Sequence, residues 1–184
     1  MQSMWYNFAM SKISASEING DGTVFVATWL PPAARKAFDH IKGLDENLHM
    51  TILYVPKGID KTEDRQKIVD VLTSVCDKTS PIKCQLTAIS IMGNEEKSLV
   101  ANVNCVDGAE LYTNIVDAIE KKLGCEIERT YGFLPHISIK VNGDGNTADI
   151  KDLRKFRWTI DEITVQFGDS KRFKTYTFKL KGGK

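Results

Sequence analysis

The chain has little of what several protein classes require. Its 184 residues carry 25 Lys and Arg against 24 Asp and Glu, for a formal net charge of +1. Proteins that sit on a nucleic-acid duplex usually hold a basic surplus to neutralise phosphates. A duplex is therefore not the expected partner, whereas a small anionic ligand needs only a local basic pocket. No run approaches the roughly 18 consecutive apolar residues of a membrane span, so no membrane is expected. The start, MQSMWYNFAMSKISASEINGDG, lacks the basic opening and apolar stretch of a secretory signal. The four cysteines, Cys76, Cys84, Cys105 and Cys125, form no CxxC pair and have no neighbouring His. No metal site is expected from them; they read as reduced, mostly buried thiols of a cytoplasmic protein. Gly20-Asp21-Gly22 and Gly143-Asp144-Gly145 are turns, because no strand-to-helix glycine motif surrounds either. No cofactor is expected.

What is present suits one globular domain of ordinary composition. Residues 1–22 read as an N-terminal segment, in which Trp5, Tyr6 and Phe8 are unusual and are expected to dock on the core, with a lid over the cleft or an interface as alternatives, and residues 23–184 as a single domain. TVFVATWL (23–30) has the β-branched and aromatic content of a strand and stops at Pro31-Pro32. A short helix is expected over 33–41, closed by Gly43, with His40 at its surface end. LHMTILYV (48–55) is a second strand. Residues 61–77 form a helix with Ile68, Val69, Leu72, Val75 and Cys76 on one face. IKCQLTAISIM (82–92) and SLVANVNC (98–105) are strands; Asn102 and Asn104 alternate with Val103, which makes one face of the latter polar. Asp107 is placed to cap a helix over 108–123, and Gly124 to close it. Residues 125–129 read as a short strand and 134–141, LPHISIKV, as a clear one. A loop with a short helical turn leads to a closing hairpin of 157–167 and 172–180.

Two strand–helix–strand units echo each other, VFVATWL to LHMTILYV and LVANVNC to LPHISIKV, and each ends in a strand carrying a His. Such self-similarity suggests two lobes related by approximate symmetry. The His contexts match: Leu48-His49-Met50-Thr51-Ile52 and Pro135-His136-Ile137-Ser138-Ile139. Side chains alternate along a strand, so His49 shares a face with Thr51, and His136 shares one with Ser138 and Lys140. Brought together, the strands offer two imidazoles and two hydroxyls to one cleft. Breaking a phosphodiester takes a base for the nucleophile and an acid for the leaving oxygen, and two groups titrating near neutrality supply both without a metal. Thr51 and Ser138 can hydrogen-bond the non-bridging oxygens where charge builds, and Lys140 can add a positive charge. Tyr131 and Phe133, just before the second motif, are candidates to stack on a base, with core packing as the plainer alternative.

The tandem His-x-Thr/Ser motifs resemble the signatures of the 2H phosphoesterase superfamily, with ENLHMTILYV similar to its first motif strand and RTYGFLPHISIKV to its second. The likeness covers about residues 23–180, and VFVATWLPPAARKAF is similar to versions carried by phages. The resemblance implies an α+β, bilobal fold: two pseudo-symmetric antiparallel-sheet lobes with outer helices and a central cleft. It implies metal-independent phosphodiester chemistry, with His49 and His136 as the acid/base pair and Thr51 and Ser138 as phosphate holders. The substrate expected is a small nucleotide or oligonucleotide, cleaved at a 3′-5′ or 2′-5′ linkage or a 2′,3′-cyclic phosphate, with cyclic oligonucleotide signals of antiviral defence the favoured class. Alternatives are RNA or tRNA end processing, including 2′-5′ ligase-like chemistry, and a nucleotide-binding module without turnover. A monomer or small homo-oligomer is expected.

Overall fold

In the computed structural model the described residues are 23–39, 41, 44, 47–55, 59, 61–93, 97–129, 132–141, 153–168 and 174–182, with backbone only at 140, 141 and 174. The expectations for Trp5, Tyr6, Phe8, His40, Gly43, Tyr131 and both Gly-Asp-Gly runs lie outside them.

Among the described residues, eight strands form one antiparallel sheet: β1 Val24–Trp29, β2 His49–Val55, β3 Ile82–Met92, β4 Ser98–Asn104, β5 His136–Val141, β6 Arg157–Ile160, β7 Glu162–Phe167 and β8 Lys174–Lys179. Their spatial order is β6-β3-β4-β5-β2-β1-β7-β8. The two echoing units occupy equivalent places: β1 lies outside β2, β4 lies outside β5, and β2 meets β5 at the centre. The two lobes are the halves of this one sheet.

Helix α1, Pro32–Arg35, continues as a 3-10 turn over Lys36–Phe38, shorter than the expected 33–41. Pro32 suits the first turn because its missing N–H would be unpaired there, and the tightening buries Ala37 and Phe38. Helix α2, Thr62–Lys78, buries Ile68, Val71, Leu72 and Cys76. Val71, not Val69 or Val75, completes the buried stripe; those two are only partly covered. Helix α3, Gly108–Leu123, ends as expected at Gly124, whose φ of 66° is cheap only for glycine. Asp107 holds the N-cap position but makes no side-chain cap bond.

Two further expectations change. Residues 125–129 are not a strand: the Ile127 N–H donates to Glu120 Oε1 at 2.8 Å, and Arg129 bridges Asp117 and Glu120. Local side-chain bonds replace a ladder there. The run 157–167 is two strands on opposite sides of the sheet. β6 pairs with β3 and β7 with β1, and only Asp161 separates them. One residue reaches only about 7 Å between its neighbours, so the sheet must curl until its β6 end returns beside β7. The Leu180 N–H to Asp161 carbonyl bond, 2.8 Å, ties the end of β8 to that crossing. The β7–β8 hairpin is as expected.

Core side chains from α2 and α3 meet one face of the sheet in a single cluster that includes Met50, Ile52, Ile137, Ile139, Leu111 and Ile115. Burying each such side chain stabilises the fold by roughly 1.5–3 kcal/mol. A smaller group, Phe25 and Ala27 with Trp29 and Tyr54, lies on the other face. That second face carries the motifs.

Candidate active site

β2 and β5 pair antiparallel at Met50 and Ile137. One step further in either direction sets His49 opposite Ser138 and Thr51 opposite His136. Directly opposed residues share a face. Met50 and Ile137 belong to the core, so all four motif side chains stand on the other face, as two His–hydroxyl pairs about a local two-fold. All four are half-buried, covered enough to be held and open enough to meet a solute.

Each imidazole is anchored in the same way. His49 Nδ1 lies 3.0 Å from the carbonyl oxygen of Asn47, and His136 Nδ1 lies 2.7 Å from that of Leu134, in both cases two residues back. A carbonyl oxygen only accepts, so Nδ1 carries the proton and donates it. Nε2 is the other ring nitrogen, one that can act as a base when bare and as an acid when protonated.

The backbone repeats a further device. Between β1 and β2 the register slips so that Ile52, the residue after Thr51, is left without a partner. Between β4 and β5 it slips so that Ile139, the residue after Ser138, is left without one. Each motif strand is thus bulged directly behind its hydroxyl, the kind of local re-aiming that bulges supply beside functional sites. The second bulge also qualifies an expectation. Lys140 lies beyond it, paired with Leu99, so alternation from His136 no longer assigns Lys140 to the motif face.

The surroundings of the two rings differ. Trp29 pairs with His49 across β1–β2. The Phe25 and Trp29 rings meet the His49 ring at 5.3 and 5.4 Å between centroids, at interplanar angles of 88° and 76°, the edge-on geometry aromatic pairs favour. Opposite His136 stands Asn102. Its Oδ1 accepts from the Ser90 hydroxyl at 3.2 Å and its carbonyl from the Thr87 hydroxyl at 3.1 Å. Phe133 follows the packing alternative: it stacks on Tyr112 at 5.8 Å and 19°, over Gly108, where an added Cβ would meet its ring at 2.8 Å. Sequence reasoning missed Phe25 and Trp29 as neighbours of His49, because only strand pairing brings them there.

The thiols stand apart from the motifs. Cys76, Cys84 and Cys105 are buried and free, and Cys125 is exposed. Burial, reinforced by Asp77, pushes the Cys76 thiol up to about 12. The Cys84 thiol donates to Cys105 Sγ at 3.3 Å, and that bond, with burial, keeps its proton on. A groove of about 540 Å³ between α2 and α3 is lined by Ser74, Lys78, Asp107 and Glu110, among others, and holds no motif residue. No helix among the described residues is long and apolar enough to cross a membrane.

Against known proteins, no family model matches the chain and no curated protein matches it by sequence. Solved structures do match. TT0787 of Thermus thermophilus is 14% identical with a TM-score of 0.63, the alignment covering 88% of this chain and all of that one. Escherichia coli LigT in complex with 3′-AMP is 15% identical at 0.59, covering 88% and 98%. Kluyveromyces marxianus Usb1 with uridine monophosphate is 12% identical at 0.56, covering 87% and 99%. The chain has the 2H phosphoesterase fold. The 2H fold accounts for the duplicated units, the curled sheet and the central placing of β2 and β5.

Proposed function

We propose that the chain is a metal-independent phosphodiesterase acting on a small nucleotide. The observation that carries the reading is the opposed quartet: two imidazoles, each anchored through Nδ1 to the carbonyl two residues back, and each set across from a hydroxyl of the other motif. One Nε2 takes the proton of the attacking hydroxyl, from water or a ribose 2′-OH, as its oxygen bonds to phosphorus. The other, protonated, gives its proton to the departing oxygen as that P–O bond breaks. One proton enters the pair and one leaves. Thr51 and Ser138 donate hydrogen bonds to the non-bridging oxygens as negative charge gathers there. Nucleotide monophosphates held by LigT and Usb1 on the same fold support the substrate class. Within it we favour cyclic oligonucleotides of the kind used as antiviral signals, since the near-neutral charge balance suits a short ligand better than a long polyanion.

The test is incubation with cyclic di- and trinucleotides, 2′,3′-cyclic mononucleotides, 2′-5′ oligoadenylate and short RNA, with products identified by mass. Cleavage unaffected by EDTA is expected. Recovery of every substrate intact, or activity abolished by EDTA and restored by a divalent metal, would overturn the proposal.

A further inference from the structure

Gln166 is the penultimate residue of β7 and is fully buried, yet neither its amide nitrogen nor its amide oxygen has a hydrogen-bond partner. A buried amide left unpaired costs about 1–3 kcal/mol, so its presence calls for a reason. Its face is fixed by its neighbours. Ile163, Val165 and Phe167 belong to the main core, so Thr164 and Gln166 stand on the motif face. Thr164 lies within reach of the Thr177 hydroxyl, 3.3 Å away. Gln166 instead pairs across with Phe25, which pairs with Tyr54. That row of an amide and two aromatic rings begins beside the catalytic quartet, since the Phe25 ring touches the His49 ring edge-on. From Thr51, Gln166 is two strands and two residues away, about 10 Å across and about 7 Å along. A ribose and a purine bridge such a gap from their phosphate. The matching place in the other half of the sheet holds Met92, paired with Ser98, which offers neither an aromatic ring nor an amide.

We propose that Gln166, beside Phe25 and Tyr54, reads the edge of the substrate's nucleobase, with adenine as the preferred base. The inference rests on the nucleotide reading of the site. A Gln amide offers a donor beside an acceptor, the complement of adenine N6–H and N7, the base match this side chain makes most readily, while neighbouring aromatic rings give a base face something to stack on. Because the amide is fully buried, the base can reach it only if what covers it gives way, and both amide atoms then gain partners at once.

The experiment measures binding of adenosine 3′-monophosphate, uridine 3′-monophosphate and purine riboside 3′-monophosphate, which lacks the N6 amine. It uses the full chain and a Gln166→Met variant, which keeps the side-chain shape and deletes both hydrogen-bonding atoms. The unmodified chain is expected to bind the adenine nucleotide at least tenfold tighter than the other two. The variant is expected to bring all three within about threefold of each other while melting at the same temperature or higher, because an unpaired polar group has been removed. Should the variant not fold, the loss on removing N6 from the ligand still decides the question in the unmodified chain. Adenine preference absent there, or intact in Gln166→Met, overturns the inference and leaves the phosphodiesterase reading standing if the substrates are cut. Adenine preference that depends on Gln166 without any cleavage upholds the inference and overturns the phosphodiesterase reading. No binding of any of the three overturns both.

Discussion

His49 and His136 stand in the same backbone frame and in different company. Both donate Nδ1–H to the carbonyl two residues back, and both strands are bulged behind their hydroxyl. Across the next strand, however, one ring meets Trp29 and the edge of Phe25, while the other meets Asn102 and its bonds to Ser90 and Thr87. The half-site of His49 is walled by packing and that of His136 by hydrogen bonds. On the phosphodiesterase reading proposed above, the repeated frame is what proton transfer at phosphorus would demand of both halves. On the same reading the walls are free to diverge, because a substrate would present different groups to each.

The comparison breaks most sharply at the imidazoles. His49→Ala and His136→Ala should each lower turnover by about 10²–10⁴-fold, measured as initial rates on the best substrate of the panel. A loss below tenfold in either would remove that ring from the acid/base pair. Next come the hydroxyls. Thr51→Val and Ser138→Ala should each cost about 10²-fold in kcat if they donate to the developing charge, and losses confined to KM would recast them as ground-state binders. The walls separate the halves more gently. Trp29→Ala removes an edge-on partner worth about 0.5–1.5 kcal/mol beyond its buried area, so it should lower the melting temperature by several degrees. Asn102→Ala should act mainly on kcat/KM, and equal effects on both readouts from the two variants would erase the distinction drawn here.

The smallest effect lies outside the site. Glu120 is held below its ordinary value of 4.5, first by the Ile127 N–H it accepts and then by Arg129, against a cost of desolvation. A carboxyl depressed on folding contributes stability above its unfolded value that is lost as pH falls through the folded one. Glu120→Gln should therefore be less stable than the unmodified chain near neutrality and converge with it in acid, as followed by denaturant melts across pH. A gap that persists at low pH would assign the loss to packing.

Much of the fold was legible residue by residue. α2 and α3 announce themselves by apolar spacing, and Gly124 by its place after the last turn, since both signals are local. The duplicated motif was legible because its chemistry and its strand period coincide in two short runs. The break at Asp161 left a trace, since buried residues alternate up to Ile160 and resume out of phase at Ile163. A continuous polar-apolar strand can still absorb such a slip, and the run was read as one element. The stretch 125–129 looks like a strand because its alternation is real, but among the described residues no strand pairs with it. Its bonds go instead to Glu120.

Sequence alone determined which side chains can carry the chemistry and that they come as two equal sets, because alternation and spacing depend only on the backbone's own geometry. Tertiary structure decided which residues stand across from them: Ser138 before His49, Thr51 before His136, Trp29 and Asn102 at their sides, and Gln166 two strands away. Register between strands distant in the chain is set by how whole faces pack and where each ladder bulges, and no local pattern holds that information.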